Sequence, residues 1–103
     1  MYGRIGKITA APGRRSELAA VLLESTRSMP GCLSYVVAED SADADTLWVT
    51  EVWDAPGSHR ASLSLPQVQE AIARARPLIA GLATTAETRP LGDAGVPGAR
   101  GRL

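Results

Sequence analysis

A chain of 103 residues with 45% hydrophobic content is long enough for one domain with a real core and too short for two of ordinary size. Eleven Lys plus Arg balance eleven Asp plus Glu, which speaks against general nucleic-acid or anionic-membrane binding, since both need a basic excess. One Cys and one His exclude an internal disulfide and a zinc site built on several thiolates within one chain.

Residues 2–10, YGRIGKITA, mix β-branched with small residues and predict a strand. The opening MYGRIGKITA has no apolar signal core, and no apolar run approaches the roughly 20 residues of a membrane span. Together with the lone Cys32 this points to a reduced, cytoplasmic protein. Ala11-Pro12-Gly13 breaks the strand. Over 14–29, Leu18, Leu22, Ser25 and Met29 form one stripe of an amphipathic helix, with Val21 beside them. Pro30-Gly31 stops it.

Residues 32–39, CLSYVVAE, predict a second strand, and 46–53, TLWVTEVW, the strongest strand of the chain. The short SADAD link between them predicts an antiparallel hairpin. Asp54 is placed to cap a short helix with Pro56 in its first turn. Ser64-Leu65-Pro66 restarts a second helical piece, where Val68, Ile72, Ala75 and Ile79 repeat the apolar spacing until Pro77 ends or kinks it. Residues 82–89 predict a fourth strand. From Pro90 on, glycine recurs and apolar content falls away, so the chain divides into one domain over 1–90 and a mobile tail over 91–103.

The order β-α-β-β-α-β predicts an α+β, ferredoxin-like antiparallel four-stranded sheet with helices on one face. In the third strand Leu47, Val49, Glu51 and Trp53 share one face, and Trp48, Thr50 and Val52 the other. In the second, Leu33, Tyr35 and Val37 alternate with Cys32, Ser34, Val36 and Ala38. Neither face is polar, yet helices cover only one, so the face with Trp48, Val36 and Val52 calls for a second subunit. At about 25 cal/mol per Å², a standard interface side of roughly 800 Å² outweighs what so small a domain can forgo.

PGCLSYVVAED at 30–40, LWVTEVWD at 47–54, His59 within SHRASLSLP, RPLIAG at 76–81 and the early PG at 12–13 resemble the antibiotic biosynthesis monooxygenase family, small dimeric α+β-barrel proteins. Glu51-x-Trp53 followed six residues later by His59 is the most specific part of the likeness. The resemblance implies a ferredoxin-like subunit whose sheet packs on a second sheet in a homodimer, with a pocket between sheet and helices. It implies oxidation of a phenolic or quinol-type aromatic by O₂ with no cofactor, neither metal nor flavin. Other members of the family act on quinols, degrade haem or isomerise a small phosphorylated sugar. Many relatives carry a second His where this chain has Ser62, and the haem-degrading branch uses an Asn, a residue absent from this sequence. One His per chain does not supply a two-His, one-carboxylate iron triad.

The candidate catalytic residues are His59, the natural proton shuttle, and Glu51, a base or acceptor for a phenol. A carboxylate on the helix-covered face is partly desolvated, so its pKa rises or it finds a partner. Trp53, Tyr35, Leu47, Val49 and Leu63 are the candidate substrate-binding residues, with Trp53 to stack on a flat ring and Tyr35 to orient an oxygen. Each also has a purely structural reading: a bonded carboxylate, a core tryptophan, a core-edge tyrosine. The competing functions are a non-catalytic dimeric module that binds a small aromatic ligand, and an isomerase of small metabolites.

Overall fold

β3 (Thr46–Trp53), rich in β-branched and aromatic residues, sits inside the sheet, where such residues pack on both sides. The computed structural model describes residues 1–92, and the elements around β3 are β1 (Tyr2–Ala10), α1 (Arg15–Ser25), β2 (Cys32–Glu39), α2 (Pro56–Ser62), α3 (Pro66–Ala75) and β4 (Ile79–Thr88). A single 3₁₀ turn, Arg76–Leu78, joins α3 to β4. The segment expected to be a mobile tail lies outside the described residues from position 93 on. Among the described residues no helix is long and apolar enough to cross a membrane.

The sheet order is β2-β3-β1-β4, with all neighbours antiparallel. This is the ferredoxin-like order: each β-α-β half places its two strands side by side but one apart, and the other half fills the gap. The β2–β3 hairpin forms as the SADAD link predicts, and Asp40 fixes its turn. One Asp40 oxygen accepts from the Ala42 and Asp43 amides and the other from Trp48 Nε1 at 2.8 Å. The Trp48 donor, then the two amides, hold the Asp40 carboxyl at about 2, well below its ordinary value.

Leu18 of α1 is fully buried against Ile8, Leu47, Val49, Ala75 and Leu78. Burial of one such leucine contributes about 1.5–3 kcal/mol. α1 ends at Ser25, earlier than the apolar stripe predicts. Ser25 and Thr26 turn their hydroxyls back onto the Leu22 and Leu23 carbonyls, and Ser28 takes a left-handed φ of 59°. Met29 still reaches the core, from the turn rather than from the helix.

Three further expectations need correction. Asp54 does not cap α2: Ala55 is the N-cap, and Asp54 Oδ1 instead accepts from Ser58 Oγ. Pro77 sits in the 3₁₀ turn, so Ile79 opens β4 rather than closing the helical stripe, and β4 begins three residues before position 82. In β2 the register shifts between Cys32 and Ser34, so Cys32 faces Trp53 on the helix side and Leu33 is left 58% exposed.

Candidate active site

β3 brings Glu51 and Trp53 to the helix-covered face, two residues apart, as strand alternation requires. Trp53 is buried, and its Nε1 donates to Glu51 Oε1 at 3.0 Å. The carboxylate has thus found a partner, and the indole is held in one orientation. β2 sets Tyr35 directly opposite Glu51. Burial first, then the Glu51 charge, pushes the Tyr35 hydroxyl well above its ordinary value, so it stays protonated and is available to a ligand as a hydrogen-bond donor.

His59 comes from α2, which folds back over the end of β3. Its ring meets Trp53 edge-on, with centroids 5.5 Å apart and planes at 72°, and lies 6.1 Å from the Tyr2 ring. Burial lowers the His59 pKa, and the Arg4 charge acts in the same sense against the opposing pull of Glu51 and Glu87. The imidazole is therefore neutral at pH 7 and can accept a proton. No hydrogen bond joins Glu51 to His59. They are two separate polar handles on one wall.

That wall closes a cavity of about 480 Å³, well inside the range of small-molecule sites. Its remaining lining is mostly apolar, including Leu22, Met29, Ala71 and Ile79, with Leu63 at the rim. The structure brings together Tyr35, Glu51, Trp53, His59 and Leu63. Leu47 and Val49 are elsewhere: Leu47 lies in the core under Leu18, and Val49 borders only a smaller neighbouring hollow. Alternation puts both on the correct face, but the helices close over the Leu47 end of the sheet and leave the larger space at the Trp53 end.

Sequence reasoning missed Arg4. The β1–β3 register sets it opposite Glu51, and its Nη1 and Nη2 donate to Tyr2 Oη at 3.1 Å and Thr84 Oγ1 at 3.0 Å. Period-2 alternation along β1 puts Tyr2, Arg4 and Ile8 on one face and Ile5 on the other, so parity joins Arg4 to Tyr2 and Ile8 but does not mark which face is the inner one. Ser62, marked in the sequence only as the place of an absent second His, is buried in the cavity wall and donates to the His59 carbonyl at 2.6 Å. Among the described residues no three His, Cys, Asp or Glu side chains converge to hold a metal ion.

The family model for antibiotic biosynthesis monooxygenases matches residues 1–74, which includes Tyr35, Glu51, Trp53 and His59. The chain belongs to the antibiotic biosynthesis monooxygenase family. A crystal structure of a Chloroflexus aurantiacus protein assigned to these monooxygenases is 60% identical, with a TM-score of 0.85, over 92% of this chain and 97% of that one. One from Deinococcus radiodurans, also so assigned, is 28% identical at a TM-score of 0.73, over 91% of this chain and 95% of that one. A Mycobacterium tuberculosis protein is 26% identical at a TM-score of 0.73, covering 90% and 97%. None of the curated proteins compared matches the chain. Within the antibiotic biosynthesis monooxygenase fold, the cavity between sheet and helices is where this chain brings Tyr35, Glu51 and His59 together.

Proposed function

We propose that this protein is a cofactor-independent monooxygenase that oxidises a phenolic or quinol-type aromatic with O₂, and that it works as a homodimer. The observation that carries the reading is the cavity itself: apolar on most sides, with Tyr35, Glu51 and His59 on one wall around the edge of Trp53.

The chemistry suits those groups. For an anthrone-type substrate, neutral His59 or the Glu51 carboxylate takes the proton from the ring CH₂, and the Tyr35 hydroxyl donates to the oxygen on which the negative charge gathers. The electron-rich anion reduces O₂ and forms a C–O bond, giving a hydroperoxide. Loss of the remaining C–H proton with cleavage of O–O leaves a carbonyl and one water. The substrate supplies all the electrons, so the protein contributes position, a dry pocket and proton transfer.

The dimer follows from the uncovered sheet face. Val36 is 50% exposed there, with Ile5, Trp48 and Val52 partly exposed beside it. The helices pack on the opposite face, so a second sheet is the natural cover.

The test is turnover of anthrone and hydroquinone candidates with and without O₂, paired with binding to Glu51→Ala and His59→Ala. The reading predicts turnover only with O₂, and a loss of about 10²- to 10⁴-fold in at least one variant with ligand affinity largely kept. Equal turnover without O₂, or binding with no turnover across the panel, overturns it; the second result is the behaviour of a pure binding module.

A further inference from the structure

Beside the main cavity lies a smaller hollow of about 180 Å³, and Ile8, Tyr35, Glu51 and Leu82 belong to the walls of both. Its floor is Gly6, in the middle of the central strand β1, between Val49 on β3 and Thr84 on β4. A glycine there weakens the strand relative to any residue with a side chain. A left-handed backbone does not demand it, since among the described residues the glycines with positive φ are Gly13, Gly31 and Gly92, and the register shift that falls between Ile5 and Gly6 leaves over Thr85 of β4 rather than a residue of β1. Crowding does not demand it either: a methyl group at position 6 would meet nothing nearer than the Ala83 carbonyl oxygen, at 3.6 Å. What Gly6 provides is depth.

Two residues away on the same face stands Arg4. Its two contacts are neutral hydroxyls, Tyr2 Oη and Thr84 Oγ1, which use two of the five guanidinium N–H donors. Among the described residues no carboxylate lies within ion-pairing distance of it. Glu51 and Glu87 nevertheless sit opposite Arg4 in register, one on each side. Arg4 is thus held in place by hydroxyls, keeps donors to spare, and has its charge balanced at longer range. An anionic substituent would meet two carboxylates. A neutral acceptor oxygen would meet only the donor.

We propose that this hollow is a specificity subsite in which Arg4 donates hydrogen bonds to a neutral carbonyl oxygen of an aromatic ligand whose ring body occupies the main cavity. Gly6 makes room for that group to pass Glu51. The inference rests on the aromatic ligand of the preceding subsection and adds where its second oxygen goes.

Calorimetric titration of the full chain with 2-naphthol, 6-acetyl-2-naphthol and 6-hydroxy-2-naphthoate tests it. The acetyl compound is expected to bind about tenfold more tightly than 2-naphthol, a usual gain for a hydrogen bond to a charged group, and the carboxylate no more tightly than 2-naphthol. In Arg4→Gln the ratio of acetyl compound to 2-naphthol falls to about one. Gly6→Val, which fills the floor and leaves Arg4 in place, gives the same loss should Arg4→Gln fail to fold. Equal binding of 2-naphthol and its acetyl derivative, tightest binding of the carboxylate, or a preference that survives both variants overturns the subsite and leaves the aromatic cavity standing. If the wild-type chain binds none of the three, the aromatic reading falls and the subsite with it.

Discussion

Trp53, Glu51 and His59 are held by different forces, and their responses to mutation and pH differ accordingly. Trp53 is fixed by burial and by its bond to Glu51, whereas His59 is fixed mainly by packing against two aromatic rings. Because burial lowers the His59 pKa, the unfolded chain takes up the proton first. The stability that His59 contributes is therefore complete above its unfolded value, about 6.5, and is lost as pH falls through the lower folded value. Between pH 7.5 and 5.5 the urea midpoint of the wild-type protein should fall further than that of His59→Gln. An equal or smaller fall in the wild type would mean that His59 is effectively solvated. At this scale the sequence was informative about residue type and face: Glu51, Trp53 and Tyr35 share a surface because alternation has a period of two. It was not informative about depth. Leu47 and Glu51 are indistinguishable by parity, and only the position of α1 decides that one is core and the other cavity wall.

At the level of elements, α2 is the part whose placement matters most, and a glycine outside it sets that placement. Gly31, after the α1 turn, has a φ of +82°, and a methyl group there would lie 2.6 Å from Ser58 Cβ and Oγ and 2.8 Å from Asp54 Oδ1. The Asp54 amide also donates to the Gly31 carbonyl at 2.9 Å. Gly31→Ala should cost about 1–2 kcal/mol for the left-handed backbone alone, read by urea unfolding, and should weaken 2-naphthol binding by moving His59. Unchanged stability and binding would show that α2 is positioned some other way. The existence and order of the elements were legible from hydrophobic periodicity and from Pro and Gly punctuation. Their ends were less so. α1 stops at Ser25 and the chain turns through a left-handed Ser28, which no sequence signal marks, and β4 starts early because Pro77 sits comfortably in a 3₁₀ turn.

For the whole molecule, the unpaired apolar sheet face has to be reconciled with a balanced charge. A chain with no net charge has no long-range repulsion to keep its copies apart, and nothing in its charge sum opposes burial of that face. Val36→Glu places a charge at a half-exposed position, so it should leave the fold intact while shifting a dimer to a monomer in analytical ultracentrifugation. A dimer that persists in Val36→Glu would mean that another surface joins the subunits. The two-faced β3 made this problem visible in the sequence. The hollow over Gly6 was not visible, because a strand glycine has the same appearance in sequence whether it marks a bulge, a close contact or an open space. The account as a whole turns on the origin of the oxygen atom that the cavity would install, and single-turnover oxidation of an anthrone under ¹⁸O₂, with product and water analysed by mass spectrometry, reads it directly. One labelled oxygen in the new carbonyl and one in water, from purified protein with nothing added, is the predicted result; a new carbonyl carrying oxygen from solvent, or anthrone decay no faster than in buffer, would contradict it.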